Sequence, residues 1–285
     1  MSTVYLNGEY LPLQEARISP MDRGFLFGDG IYELIPTYDT RMIAFEPHVD
    51  RMNSGLKTVG IDLGWQAEDW RELCTSLIKK NPARNLAIYL HVTRGVEDRR
   101  SHAYSQDISP TVFAYTYEIN EPIPADASEV TGFRVATSRD LRWDHCDIKS
   151  TALLGNVMHF QQGYEQGYNE TLLFNDADEL TEASSSNAWI VKDGLISTPP
   201  LDKQILPGVT RQILLDMLRR DGGFALHERV IGKSEVLEAD EIWLSSSSRG
   251  LVPVVQIDNA PVADGCVGQI WERAYKLYTD RKFDY

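Results

Sequence analysis

The sequence predicts an α+β (α/β) protein of two domains, on three observations. Residues 4–11 place the pair Asn7-Gly8 between two strand-like runs, the strongest short hairpin signal. Two later stretches carry apolar residues at helical spacing, and an aperiodic segment with two prolines separates this region from one in which strands dominate. The length of 285 residues, at about 150 residues per domain, suits two modest domains or one large one. With 42% hydrophobic and 25% charged residues the chain has the composition of a globular protein, which excludes disorder, collagen and coiled coil.

Taken in order, the hairpin opens a sheet. Pro47 starts a run in which Val49, Met52, Leu56 and Val59 recur at helical spacing, and Trp70, Leu73, Leu77 and Ile78 repeat the pattern, so two amphipathic helices follow. Residues 86–93 and 111–117 are β-branched and aromatic and read as buried strands, completing an N-terminal α/β domain over residues 1–118. Residues 119–128 lose periodicity, carry Pro122 and Pro124, and read as the linker. The C-terminal domain, 129–285, reads as strands at 133–137, 170–174, 188–191 with an Asp193-Gly194 turn, 241–244 and 252–257, interrupted by helices at 153–166 and 210–220. There is no internal repeat.

Charge and motif content remove several function classes. The 28 basic against 42 acidic side chains leave a net charge of -14, a mean field that repels nucleic acid and anionic membrane alike. Cys74, Cys146 and Cys266 are odd in number, far apart and without a CxxC, which argues against disulfides and thiolate metal sites and for a reducing, cytoplasmic home. The start of the chain lacks a basic, apolar leader pattern, and no stretch approaches 18 apolar residues. The six histidines have no ligand spacing, so no metal is expected. Gly28 and Gly30 form a GxG but position 33 is Glu, and the P-loop, HExxH and GxSxG patterns do not occur.

One lysine of nine stands out. Lys149 follows Arg142-Trp143-Asp144-His145-Cys146-Asp147-Ile148 and precedes an apolar helix, a partly desolvated setting of the kind an amine nucleophile needs. Taken alone it also reads as an exposed lysine at a strand edge. Glu182 lies in Leu180-Thr181-Glu182-Ala183-Ser184-Ser185-Ser186-Asn187, a carboxylate among small hydroxyls that by itself reads equally as a solvated turn. Leu206-Pro207-Gly208-Val209-Thr210-Arg211 opens a helix whose first-turn N–H groups favour a phosphate. Ser246 and Ser247, in the run 245–248, add hydroxyls, and Arg51 adds a guanidinium for the same anion. Together these meet the demands of pyridoxal 5'-phosphate (PLP): an amine for its aldehyde, an anion for its ring nitrogen and a cradle for its phosphate.

These segments, with Arg23-Gly24, Phe27-Gly28-Asp29-Gly30-Ile31-Tyr32-Glu33, Cys146-Asp147-Ile148-Lys149-Ser150 and Leu153-Leu154-Gly155-Asn156, resemble the class IV aminotransferases of fold type IV over essentially the whole chain. The resemblance implies a smaller N-terminal α/β domain, a larger C-terminal pseudo-barrel domain and PLP between them. It assigns Lys149 as the amine that binds the cofactor and moves the Cα proton, Glu182 as partner of the ring nitrogen, Leu206 as a side chain on the ring face, and Arg51, Val209, Thr210, Ser246 and Ser247 as the phosphate cradle.

Within the family the sequence looks most like the branch acting on D-amino acids. Val92-Thr93-Arg94-Gly95 is followed by Arg100-Ser101-His102, and Tyr32 stands at the matching aromatic position. The resemblance implies that Tyr32, Arg100 and His102 hold the substrate carboxylate, with Arg100 and His102 reaching the neighbouring subunit of a homodimer. The implied reaction is ping-pong transfer from a D-amino acid such as D-alanine to 2-oxoglutarate or a similar 2-oxo acid. Glu97 and Asp98 make the loop more acidic than the pattern, and Arg249 follows the serines where the branch often carries a less basic residue. The alternatives on the same fold are a branched-chain L-aminotransferase, an (R)-amine transaminase and an aminodeoxychorismate lyase. A PLP carrier without turnover is a further one, against which Lys149 argues.

Overall fold

The structure, a computed structural model, describes residues 2–285 and divides into two compact units. The first runs to Glu121 and includes Ile148–Leu153; the second comprises Pro122–Asp147 and Leu154–Asp284.

The first unit contains β1 (Thr3–Leu6), β2 (Glu9–Pro12), α1 (Arg23–Phe27), β3 (Gly30–Tyr38), β4 (Arg41–Met42), α2 (Phe45–Val59), α3 (Ala67–Lys80), β5 (Asn85–Thr93) and β6 (Thr111–Glu118). Its six strands form an antiparallel sheet in the order β2-β1-β6-β5-β3-β4. Asn7 and Gly8 both take positive φ, 47° and 99°, as the two-residue turn requires. The sequence reading has no strand at β3, yet β3 pairs with β5 along its whole length, from Gly30↔Thr93 to Tyr38↔Asn85. Glu33 and Pro36 hide it from pattern reading. Pro36 is tolerated because its carbonyl takes the Ile43 N–H on the side where the two-residue β4 has ended, so the missing donor costs no strand pairing.

Alternation along β3 decides what each residue faces. Ile31 and Ile35 pack with Phe45, Val49, Met52 and Leu56 of α2 in the unit's core, and Glu33 points the same way. Tyr32 lies on the opposite face, stacked on Tyr89 at 5.6 Å, and Tyr115 and Tyr117 continue the aromatic layer. The segment Ile148–Leu153, assigned from the sequence to residues 129–285, packs with this first unit. Tyr32 N–H donates to the Lys149 carbonyl and Thr151 N–H to that of Gly30, so it runs as a short antiparallel extension beside the start of β3.

The second unit contains β7 (Phe133–Arg139), α4 (Leu154–Glu165), β8 (Glu170–Phe174), β9 (Leu180–Ala183), β10 (Asn187–Lys192), β11 (Leu195–Thr198), α5 (Val209–Asp221), β12 (Ala225–Glu228), α6 (Lys233–Leu237), β13 (Glu241–Ser246), β14 (Gly250–Ile257), β15 (Ala260–Pro261) and α7 (Gln269–Arg281). Its mixed sheet runs β12-β11-β10-β13-β14-β7-β8-β9, with β15 on β14. The sheet curls around one core, since Leu180 and Ala183 of the terminal strand β9 share a cluster with Ile190 of β10 and Ile242 of β13. Sequence reading names no strand at β9 and omits α7, whose Trp271, Ala274, Tyr275 and Tyr278 are buried at helical spacing.

Candidate active site

Lys149 owes its position to glycine. Gly28 ends α1 in the left-handed region, φ 68°, and a Cβ there would lie 2.9 Å from the Ala152 Cα; one at Gly30 would lie 2.6 Å from the Val92 carbonyl. Only this bare turn lets the chain at 148–153 approach β3, and Thr151 Oγ1 secures it by donating to the Gly28 carbonyl at 2.9 Å. The Lys149 Nζ then sits 4.1 Å from the centre of the Tyr32 ring, on the aromatic face of the sheet.

Behind that face lies a buried charge cluster the sequence reading did not find. Glu33 is fully buried, and Arg51 grips both its oxygens, Nε to Oε1 at 2.6 Å and Nη2 to Oε2 at 2.9 Å. His48 Nδ1 is 2.7 Å from Oε2. Burial alone would raise the Glu33 carboxyl, but Arg51 and His48 together hold it well below the ordinary carboxylate range. Burial lowers His48, with Arg51 and Lys149 adding to the effect, so the ring is neutral near pH 7 and serves as the Nδ1–H donor to Glu33. Arg51, named from sequence for a phosphate, is therefore already oriented by an ion pair within its own unit.

In the second unit β9 holds Glu182. Its Oε2 accepts from Asn187 Nδ2 at 3.0 Å and the Leu206 N–H at 3.1 Å, and Arg142 Nη1 donates to Oε1. A carboxylate offers about four lone-pair positions, so one on Oε1 is left for a further donor. Arg142 in turn clamps Asp140, Nε to Oδ1 at 3.0 Å and Nη2 to Oδ2 at 2.7 Å, and Thr181 Oγ1 donates to Oδ2 at 2.8 Å. Burial pushes the Glu182 carboxyl up and Arg142 only partly offsets it, leaving it at about 7.

Asn187 also donates to the Leu206 carbonyl at 2.9 Å, and a Cβ on Gly208 would lie 2.0 Å from its Oδ1. Strand pairing sets Asn187 opposite Ser245, so Glu182, the 206–210 turn and the end of β13 are gathered around one side chain. Gly208 starts α5 with no side-chain cap, leaving the first-turn N–H groups of Val209 and Thr210 for an anion, and α5 packs on β13, from whose end Ser246 and Ser247 lead into the turn. Ser184 and Ser185 both donate to the buried Glu170 carboxylate, and Arg249 Nη1 lies 3.6 Å from it. Arg249 is thus the counter-charge of an internal carboxylate.

Arg100 and His102 are exposed on the first unit and share Phe27, the guanidinium 4.8 Å and the imidazole 5.5 Å from its ring centre, whereas Tyr32 is in contact with Tyr89 and Lys149. The partners missed by sequence reading include Glu33, His48, Asp140 and Arg142, which meet across separations that no motif encodes. Asn187, also missed, lies in the same motif as Glu182, which it holds. Among the described residues no group of acidic, His or Cys side chains could hold a metal.

Residues 30–257 match the class IV amino-transferase family. The chain is 37% identical over 271 residues to a D-alanine aminotransferase of Staphylococcus aureus (strain COL), covering 95% of this chain and 94% of that one. It is 32% identical over 277 residues to a D-alanine aminotransferase of Listeria monocytogenes serotype 1/2a (strain 10403S), covering 97% and 95%. Its fold is similar to that of the branched-chain aminotransferase of Thermoproteus uzoniensis with norvaline, with a TM-score of 0.88 at 22% identity over 99% of this chain and 95% of that one. The branched-chain amino acid aminotransferase of Thermobaculum terrenum in its PLP form gives a TM-score of 0.87 at 18% identity, over 99% and 94%. From the extent of the family match and the identity to these relatives, the chain belongs to the class IV aminotransferases.

Proposed function

We propose that this protein is a PLP-dependent D-amino-acid aminotransferase that moves the amino group of D-alanine to 2-oxoglutarate or a similar 2-oxo acid. The observation that carries the reading is the 37% identity to a D-alanine aminotransferase over 95% of the chain. The likeness to branched-chain enzymes, at 22% and 18% identity, speaks for the fold and not for their substrate.

The residues fit the cofactor. A carboxylate locked by three hydrogen bonds keeps one lone pair for a ring N–H, and an uncapped helix N-terminus preceded by glycine suits a phosphate. Bound PLP supplies the carbonyl that takes up the amino group and the electron sink that lets the Cα proton leave. The chain supplies the rest. Lys149 Nζ takes the proton from the Cα of the donor amino acid and, in the second half-reaction, gives one to the Cα of the acceptor 2-oxo acid, a task for an amine held beside the Tyr32 ring. Glu182 holds the proton on the ring nitrogen, Leu206 borders the ring, and Val209, Thr210, Ser246, Ser247 and Arg51 bind phosphate. Tyr32, Arg100 and His102 pin the substrate carboxylate, which fixes the side of Cα presented to the base. Arg100 and His102 act on the site of a second copy, making the enzyme a homodimer. Its place is the cytoplasm: Cys74, Cys146 and Cys266 are free thiols, and burial pushes the first two up to about 12. No helix among the described residues is long and apolar enough to cross a membrane.

The test compares transfer from D-alanine and from L-alanine to 2-oxoglutarate in the parent and in Arg100→Ala. The parent should use D-alanine, and the variant should show a KM for it about tenfold to a hundredfold higher, the worth of a charge-assisted hydrogen bond. A parent faster with L-alanine, or a variant with unchanged D-alanine kinetics, refutes the assignment.

A further inference from the structure

The loop that carries Arg100 and His102 has almost no regular structure between the end of β5 and the start of β6, where only Val96 makes an isolated bridge. A loop of that kind needs side chains to hold it. Arg23 is one that does so. Its side chain is only 5% exposed, Nη1 donates to the Ser101 carbonyl at 2.6 Å, Nη2 donates to the His102 carbonyl at 3.1 Å, and Nε to Asp29 Oδ2 at 2.9 Å. Its guanidinium also lies 4.8 Å from the Phe27 ring centre, the same ring that Arg100 and His102 share. The helix bearing Arg23 is itself fixed. Asp22 accepts the Gly24 N–H at 2.8 Å, and a Cβ on Gly24 would lie 2.1 Å from Thr93 Cγ2, so α1 sits hard against the end of β5.

Glu97 closes the loop from the other side. It is 13% exposed, its Oε1 accepts from both the N–H and the Oγ of Ser105, at 2.7 and 2.8 Å, and its Oε2 lies 3.2 Å from Arg23 Nη1. One carboxylate thus ties residue 97 to residue 105 and to the arginine that grips residues 101 and 102. The charges balance within the cluster. Asp29 accepts from both Arg23 and Arg94, and Glu97 supplies the second negative charge. The Glu97 part of this loop's extra acidity is therefore a structural contact, whereas Asp98 is half-buried.

We propose that Arg23 and Glu97 form a clip that positions Arg100 and His102 for the substrate carboxylate, so that both are positioning residues of the aminotransferase that do not touch substrate. This rests on the reading of Arg100 and His102 as the carboxylate trap. The holoenzyme test measures two things in the parent, Glu97→Ala, Glu97→Gln, Arg100→Ala and the double variant Glu97→Ala/Arg100→Ala. One is the rate of trypsin cleavage after Arg99 and Arg100, followed by mass spectrometry in the forms that keep those sites. The other is KM and kcat for D-alanine.

Glu97→Ala should be cut at least about tenfold faster there, and its KM should rise about tenfold while kcat at saturation changes less. Glu97→Gln, which keeps an acceptor for Ser105 but sets a donor against Arg23, should fall between parent and Glu97→Ala in both measurements. In the Arg100→Ala background the KM effect of Glu97→Ala should shrink, because the clip acts through the trap. A Glu97→Ala enzyme with parental KM overturns the proposal whatever its cleavage pattern, and so does an equal KM effect in both backgrounds. Failure of the trap reading looks different: Arg100→Ala then keeps the parental KM.

Discussion

Arg142 is the group on which the charge of Glu182 depends, and replacing it with Met exposes that dependence. Its guanidinium is 3% exposed and is shared between Asp140 and Glu182, themselves 10% and 6% exposed, with one further bond to the Gln204 carbonyl. Removing one partner of a buried ion pair costs about 3–5 kcal/mol, since the remaining charge is stranded. Glu182 already titrates at about 7, and without Arg142 burial acts unopposed and moves it higher. At pH 8 the parent carboxyl is mostly ionised; in Arg142→Met a larger share of it is neutral, and that share cannot serve the proposed role of holding a proton on the ring nitrogen.

The sign of the pH effect on stability follows. A carboxyl raised from 4.5 to about 7 on folding stabilises the protein fully below pH 4.5, and the effect is lost as pH rises through 7, about 3 kcal/mol in all. His48, His91 and His159, lowered by burial, have the opposite slope, so the measurement is a difference: denaturant unfolding of the cofactor-free parent, Glu182→Gln and Arg142→Met from pH 5 to 9. Relative to Glu182→Gln, the parent should lose stability up to pH 7 and level off, and Arg142→Met should go on losing it above pH 7. In the holoenzyme, Arg142→Met should shift the pH titration of the cofactor absorbance and Arg142→Lys should partly restore it. Parental stability and a parental titration in Arg142→Met would refute the reasoning.

Two further changes probe the site from other sides. Lys149→Ala should abolish covalent cofactor attachment, read as loss of the characteristic absorbance, and slow Cα proton exchange by several orders of magnitude, since the proposed function makes one amine both anchor and base; near-normal turnover would contradict it. Gly208→Ala should weaken PLP affinity, measured by equilibrium dialysis, because the new Cβ at 2.0 Å from Asn187 Oδ1 must displace the side chain that holds Glu182 and Leu206. An unchanged dissociation constant would show that Asn187 is not needed in place.

Local signals made much of the fold legible. The hairpin at Asn7-Gly8, the spacing of Val49, Met52 and Leu56, and the β-branched run of β5 depend on neighbours a few residues apart, and the structure has a turn, a helix and a strand there. The family was legible because the segments around Lys149, Glu182 and Gly208 keep their order along the chain. The strand β3 was not legible, since its glutamate and proline break the apolar pattern and are accommodated only by α2 and by the short β4. Nor was the membership of residues 148–153 in the first unit, which rests on hydrogen bonds to Gly30 and Tyr32 more than 100 positions away. The same holds for the ion pairs. A sequence shows that Glu182 and Arg142 exist, 40 residues apart, but two charges are coupled by distance and dielectric, and both are set only when β9 and the chain after β7 are packed together.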